Sequence, residues 1–108
     1  MSQQKICFIG AGNMTRSIIS GLIRSGYPAA LVQATNPSQG KLDALAADFG
    51  VRVSQDNFSA AQDADVIVLS VKPQLMEQVC QALQGIDLSN KLVITIAAGI
   101  KAERYSQY

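Results

Sequence analysis

"KICFIGAGNMTRSIISGLIRSGY", Lys5 to Tyr27, joins two hydrophobic patterns of different period across a pair of glycines. "KICFI" (5–9) is a short continuous apolar run that stops at Gly10, as expected of a strand buried on both faces. From Asn13 to Ser25 apolar residues recur at i and i+4, Met14, Ile18 and Leu22 in one row and Ile19 and Ile23 beside it, until Gly26. That spacing predicts a helix. Gly10 permits a tight turn off the strand, and Gly12 would let a ligand approach bare backbone. The helix from Asn13 offers unpaired amides at the positive end of its dipole, so the junction suits a pyrophosphate. At the third position of this glycine pattern Thr15 stands where Gly or Ala permits close packing of helix on strand, which puts the seating of the helix in question.

The same alternation continues downstream. "LVQAT" (31–35) reads as a second strand, and "PSQGKLDALAADFG" sets Leu42, Leu45, Ala46 and Phe49 on one helical face with Gly50 as the stop. "VRV" (51–53) is a short third strand, "DNFSAAQDA" a short helix, and "DVIVLSV" (65–71) a fourth strand ending before Pro73. Leu75, Val79 and Leu83 run beside Met76 and Cys80 on another amphipathic helix, and "KLVITIAAG" supplies a fifth strand. Strands alternating with helices favour a parallel sheet covered on both faces, an α/β fold of three layers.

At 108 residues and 48% hydrophobic content the chain has the size of one domain with a real core. Nine basic against eight acidic side chains leave a charge of +1, which argues against nucleic acid or acidic membranes as partners. The two cysteines, Cys7 and Cys80, lie inside apolar patterns and read as reduced core thiols, in keeping with a cytoplasmic protein. "MSQQK" leads straight into the first strand without the shape of a signal peptide, and no apolar run approaches the roughly 18 residues that a membrane span needs.

Right-handed crossovers place the first strand centrally, with the chain reversing across the sheet after the third strand: a Rossmann-type, doubly wound arrangement. The carboxyl ends of strands one, four and five then bring "GAGNMT", "SVKPQ" and "IAAGI" to one edge, where such folds hold their ligands. In a dinucleotide site an acidic residue closing the second strand grips an unphosphorylated ribose. Here the chain runs "ATNPSQGK", with Asn36 and Ser38 as neutral donors and Lys41 one turn into the helix. A carboxylate about 5 Å from a 2′-phosphate would cost a few kcal/mol at a dielectric of about 20, whereas charge-assisted donors contribute roughly 1.5–3 kcal/mol each. The loop therefore favours NADP(H), while the same residues also suit a plain turn and helix cap. Pro73 forces Lys72 towards an extended conformation, so the backbone of Ser70 to Pro73 can wall a ribose and nicotinamide channel, with the Lys72 ammonium near phosphate or in solvent. The small residues from Ile96 to Gly99 would let a flat ring lie on the main chain. Asp56 and Asn57 precede the third helix, where at least one of them reads as its cap, Asn57 could also reach the adenosine half, and Arg16 and Arg24 read as solvated.

"FIGAGNM", "NPSQGKLDAL", "DN", "ADVIVLSVKPQLM" and "LVITIAAGI", in that order and spacing, resemble the N-terminal domain of pyrroline-5-carboxylate reductases over nearly the whole chain. The resemblance implies reduction of 1-pyrroline-5-carboxylate to L-proline, the last step of proline biosynthesis, with NADPH preferred and NADH sometimes used. Carried over by position, it implies coenzyme contacts from Ile9, Gly10, Ala11, Gly12, Asn13 and Met14, from Asn36 and Asn57, from Ser70, Val71, Lys72 and Pro73, and from Ile96, Ala97 and Ala98. Two of these depart from common choices in the family: Asn36 stands where some members have Ser or Arg, and Ser70 where Ala is usual.

Hydride transfer to a cyclic C=N bond needs a proton donor for the imine nitrogen and an anchor for the carboxylate. The chain has no histidine, and its spacing assembles no acid catalyst. In the family, the substrate pocket and the homo-oligomer come from a helical C-terminal domain. Residues 1–99 accordingly read as an NADP-binding domain, and "IKAERYSQY" (100–108) as the start of a truncated helix leading towards that second domain. Little turnover is expected of the chain alone, because the nicotinamide face would stay open to water. Two other readings remain open: the coenzyme half of a β-hydroxyacid or prephenate-type dehydrogenase, and a stand-alone NADP-binding module.

Overall fold

The computed structural model describes residues 4–96. Five parallel strands, β1 (Ile6–Ile9), β2 (Val32–Thr35), β3 (Arg52–Ser54), β4 (Val66–Leu69) and β5 (Leu92–Thr95), lie in the order β3-β2-β1-β4-β5. The central position of β1 and the reversal after β3 are those that right-handed crossovers predict. Helices α1 (Asn13–Arg24), α2 (Gln39–Phe49), α3 (Asn57–Asp63) and α4 (Met76–Ala82) connect them. Ile6 of β1 stands opposite Val32 on one side and Val66 on the other, and this register carries Ile9 level with Thr35 and Leu69. The carboxyl ends of the three central strands therefore finish together.

Alternation along each strand divides the core in two. Phe8, Val32, Ala34, Val66 and Val68 pack with Ile19, Leu42 and Leu45 of α1 and α2, while Cys7, Ile9, Ile67 and Leu69 pack with Ala60, Ala61, Met76 and Leu83 on the α3 and α4 side. Burying a Phe, Ile or Leu side chain in this way contributes about 1.5–3 kcal/mol each. The row on α1 that enters the core differs from the expected one. Met14 is 46% exposed, and Thr15 and Ile19 are the buried positions. Met14 faces a cleft instead of the core.

Several boundaries shift by a residue or two. A 3-10 turn, Ala29–Leu31, precedes β2, and Pro73–Leu75 form another before α4. Met76 and Leu83 are buried and Val79 half-buried on α4, whereas Cys80 is exposed. The expectation of two core thiols is thus corrected: the α4 stripe runs i, i+3, i+7, which turns Cys80 outward. Cys7 is fully buried, and desolvation pushes its thiol up to about 12. Strand β5 lies at the sheet edge, where Leu92, Val93 and Ile94 are 58%, 39% and 40% exposed. The segment 97–99 expected to extend this strand, and the helical pattern expected over 100–108, lie outside the described residues. No helix among the described residues is long and apolar enough to cross a membrane.

Candidate functional site

Gly10 turns the chain off β1 with φ at +107°, a conformation that side chains disfavour. A Cβ there would also stand 2.3 Å from the Ser70 carbonyl oxygen. The end of β4 is consequently seated directly against the loop, and the Ser70 amide donates to the Ile9 carbonyl at 2.9 Å. Gly12 is different. Its φ of −81° and ψ of −169° suit any residue, and a Cβ would meet nothing within 4 Å. Neither conformation nor packing accounts for glycine at this position, and the space beyond it is open cleft.

Gly12 is the N-cap of α1 and brings no capping side chain, and the first helical bond runs from the Arg16 amide to the Gly12 carbonyl at 3.0 Å. The amides of Asn13, Met14 and Thr15 precede the repeating ladder, and no acidic residue stands in the first turn. Thr15 secures the helix in place. Its buried hydroxyl donates to the Gly10 carbonyl at 2.7 Å, so the departure from the usual small residue adds an anchor between helix and loop.

Two adjoining clefts, about 490 and 590 Å³, open at this loop and share Ala11, Gly12, Lys41, Ser70, Val71 and Lys72. Each lies within the range of small-molecule and cofactor sites, about 300–1,000 Å³. The first also takes Asn13, Met14, Arg16 and Ile96; the second takes Ile9, Gly10, Asn36, Ser38 and Asn57. Among the described residues lining them there are Lys and Arg side chains and no carboxylate. An extended anionic ligand, with a diphosphate over the bare backbone at Gly12, fits this arrangement.

The sequence-derived candidates thus fall at one edge of the sheet. The backbone of Pro73 opens the turn that carries β4 into α4, and Ala97 and Ala98 lie outside the described residues. Asn36 accepts from the Ala11 amide at 3.2 Å through Oδ1. Ser38 is the N-cap residue of α2, yet its side chain makes no capping bond. Asn57 accepts from the buried Thr35 hydroxyl. Asp56 caps α3 by accepting from the amides of Phe58 and Ser59, and the Ser59 hydroxyl and amide hold its carboxyl below the ordinary range. Arg16 is paired rather than simply solvated: it bridges to Asp48 and lies 5.0 Å from the centroid of the Phe49 ring, tying α1 to α2 beside the first cleft. Thr35 was not among the candidates, since a threonine ending a strand has the same pattern whether it packs or supports a site residue. Leu75, at the end of the turn before α4, and the α4 residues Gln78, Val79 and Ala82 also line the second cleft. Their period marks a helix without showing which flank meets a ligand.

The chain is 58% identical over 104 residues to a pyrroline-5-carboxylate reductase of Vibrio alginolyticus, a match that covers 96% of this chain and 38% of that protein. A solved pyrroline-5-carboxylate reductase from Coxiella burnetii superposes with a TM-score of 0.85 at 42% identity, over 98% of this chain and 40% of that one. The Plasmodium falciparum pyrroline carboxylate reductase, solved with NADP bound, shares the fold at 23% identity with a TM-score of 0.78. The resemblance read from the glycine turn, "VKPQ" and "IAAGI" agrees with these relatives, of whose length the chain spans about two fifths. The family model described as NADP oxidoreductase coenzyme F420-dependent matches residues 5–99, and the chain belongs to that family.

Proposed function

We propose that this chain is the coenzyme half of a pyrroline-5-carboxylate reductase and binds NADPH in preference to NADH. The single observation that carries the reading is Gly12: a glycine at a helix N-terminus with ordinary dihedrals and open space where a side chain would be. A diphosphate accepting from the first amides of α1 accounts for it. The Ser70 to Pro73 backbone and Ile96 would wall the nicotinamide end, and Asn36, Ser38, Asn57 and Lys41 would hold the adenosine end and its 2′-phosphate. When bound, the coenzyme supplies a hydride from C4 of its nicotinamide.

The remainder of the activity belongs to the same proposal. In the whole protein a further domain provides the imine pocket and a homo-oligomeric contact. The greater length of the relatives supports this, as does the uncovered apolar edge at Leu92, Val93 and Ile94. A protein of this kind works in the cytoplasm on a small-molecule substrate, 1-pyrroline-5-carboxylate. The described cleft residues include no carboxyl group and the sequence no histidine. Turnover by this chain alone is accordingly expected to be slight. Titration with NADPH and NADH, followed by nicotinamide fluorescence, tests the reading. Saturable binding with NADPH tighter is the expected result, and binding of neither coenzyme would refute it.

A further inference from the structure

The Gly10 amide donates to the Thr35 carbonyl at 2.8 Å, which carries the β1–β2 ladder one step past the strands and sets the next residues, Ala11 and Asn36, beside each other. The Ala11 amide then donates to Asn36 Oδ1 at 3.2 Å, and Asn36 Nδ2 donates to the Ser38 carbonyl at 3.4 Å. A carboxamide has one accepting end and one donating end, so these two neighbours determine which end points where. A backbone N–H can only donate and a carbonyl can only accept; turning the amide over would set donor against donor and acceptor against acceptor. The bond to Ser38 is long, and the second Nδ2 proton has no partner among the described residues. What Asn36 offers to the second cleft is therefore a donor.

We infer that the Ala11 amide is the positioning element for coenzyme choice: it holds Asn36 donor-outward and so favours a ribose carrying a phosphate ester, whose charged oxygens accept more strongly, over one carrying a neutral hydroxyl. The inference rests on the coenzyme reading above and adds the residue that orients the selector. It also specifies how the selection reverses. In Asn36→Asp one carboxylate oxygen keeps the Ala11 amide while the other presents an acceptor and a negative charge to the ribose.

The test compares the wild-type chain, Asn36→Asp and Asn36→Ala by titration with NADPH and NADH and by hydrogen exchange at the Ala11 amide. Melts by circular dichroism establish that each variant is folded. Asn36→Asp should weaken NADPH on the order of 100-fold while keeping NADH, so that the preference inverts. The Ala11 amide should be protected in the wild type and Asn36→Asp and exchange faster in Asn36→Ala. Equal weakening of both coenzymes in Asn36→Asp, or undiminished protection of Ala11 in Asn36→Ala, would overturn the orienting role while leaving the coenzyme reading intact. A wild-type chain that binds neither coenzyme would overturn the coenzyme reading, and this inference with it.

Discussion

Gly10 and Gly12 stand two residues apart and should fail in opposite ways when each is replaced by alanine. At position 10 the backbone has φ of +107°, and the new Cβ would lie 2.3 Å from the Ser70 carbonyl oxygen and 3.2 Å from Val71 Cγ1. Strain at such a dihedral costs of order 1–3 kcal/mol, and forcing an atom into a packed contact another 1–3 kcal/mol. Together they approach half of a typical domain stability of about 5–15 kcal/mol. At roughly 4–8 °C per kcal/mol for a chain of this size, Gly10→Ala should lower Tm by more than about 10 °C. Gly12→Ala meets no atom within 4 Å and keeps an ordinary φ. Its weaker N-cap and its less flexible unfolded chain offset each other to within about 1 kcal/mol. The added methyl stands in the cleft, and losing one charge-assisted phosphate contact, about 1.5–3 kcal/mol, should raise the NADPH Kd by roughly 10- to 150-fold. Thermal melts and coenzyme titration of both variants decide the matter. A Gly10→Ala chain as stable as the wild type would refute the steric account, and a Gly12→Ala chain that binds NADPH normally would refute the cradle.

Cys7 predicts an alkaline loss of stability. Burial keeps its thiol protonated up to about 12, while the unfolded chain releases that proton above the ordinary 9.0. Its contribution is whole below pH 9 and falls by about 1.4 kcal/mol per pH unit from there towards 12, so urea melts across that window should show a steeper decline for the wild type than for Cys7→Ala. Parallel declines would contradict it. Thr15→Val keeps the buried shape but removes the donor to the Gly10 carbonyl, and should cost about 1–3 kcal/mol in the same melts. Asp56→Ala should lower Tm at neutral pH by freeing the amides of Phe58 and Ser59. Because that carboxyl is held below its usual 3.8, the difference from the wild type should persist above pH 3.8 and fade as the pH falls further, which melts at pH 7 and pH 2.5 would reveal.

The topology was legible because it rests on period alone: continuous apolar runs for strands buried on both faces, and i, i+4 rows for helices between them. Period cannot say where a helix leaves the core. Met14 begins the apolar row by spacing, yet it is exposed and lines the first cleft, while Thr15, read as an awkward substitute for a small residue, is the buried anchor. Cys80 went astray for a related reason, since rows at i+3 and i+4 are both available on a short helix and the neighbouring layer chooses between them. The glycine loop and "SVKPQ" could be placed at one edge from the strand order. The committed end of Asn36 could not, because it depends on a register between residues 11 and 36 that spacing does not encode.

Gly10 explains why a binding edge can be this well defined on so small a domain. Its amide closes onto the Thr35 carbonyl, its carbonyl receives the Thr15 hydroxyl, and its Cα lies against the Ser70 carbonyl. One residue thereby sets the distances among the ends of β1, β2 and β4 and the first turn of α1. Each of those elements is held in turn by buried neighbours: Phe8 and Ile9, Val32 and Ala34, Ile67 and Leu69, Ile19. The position of the cleft is therefore a property of core packing, and only what fills the cleft depends on the exposed side chains. A change that loosens the core, such as Ile19→Ala, at about 2–5 kcal/mol, should weaken NADPH and NADH alike without altering their ratio. Substitutions at Asn36 should change the ratio with little effect on the melt. If core variants shifted the coenzyme ratio instead, the separation between a scaffold that places the loop and side chains that read the ribose would be wrong.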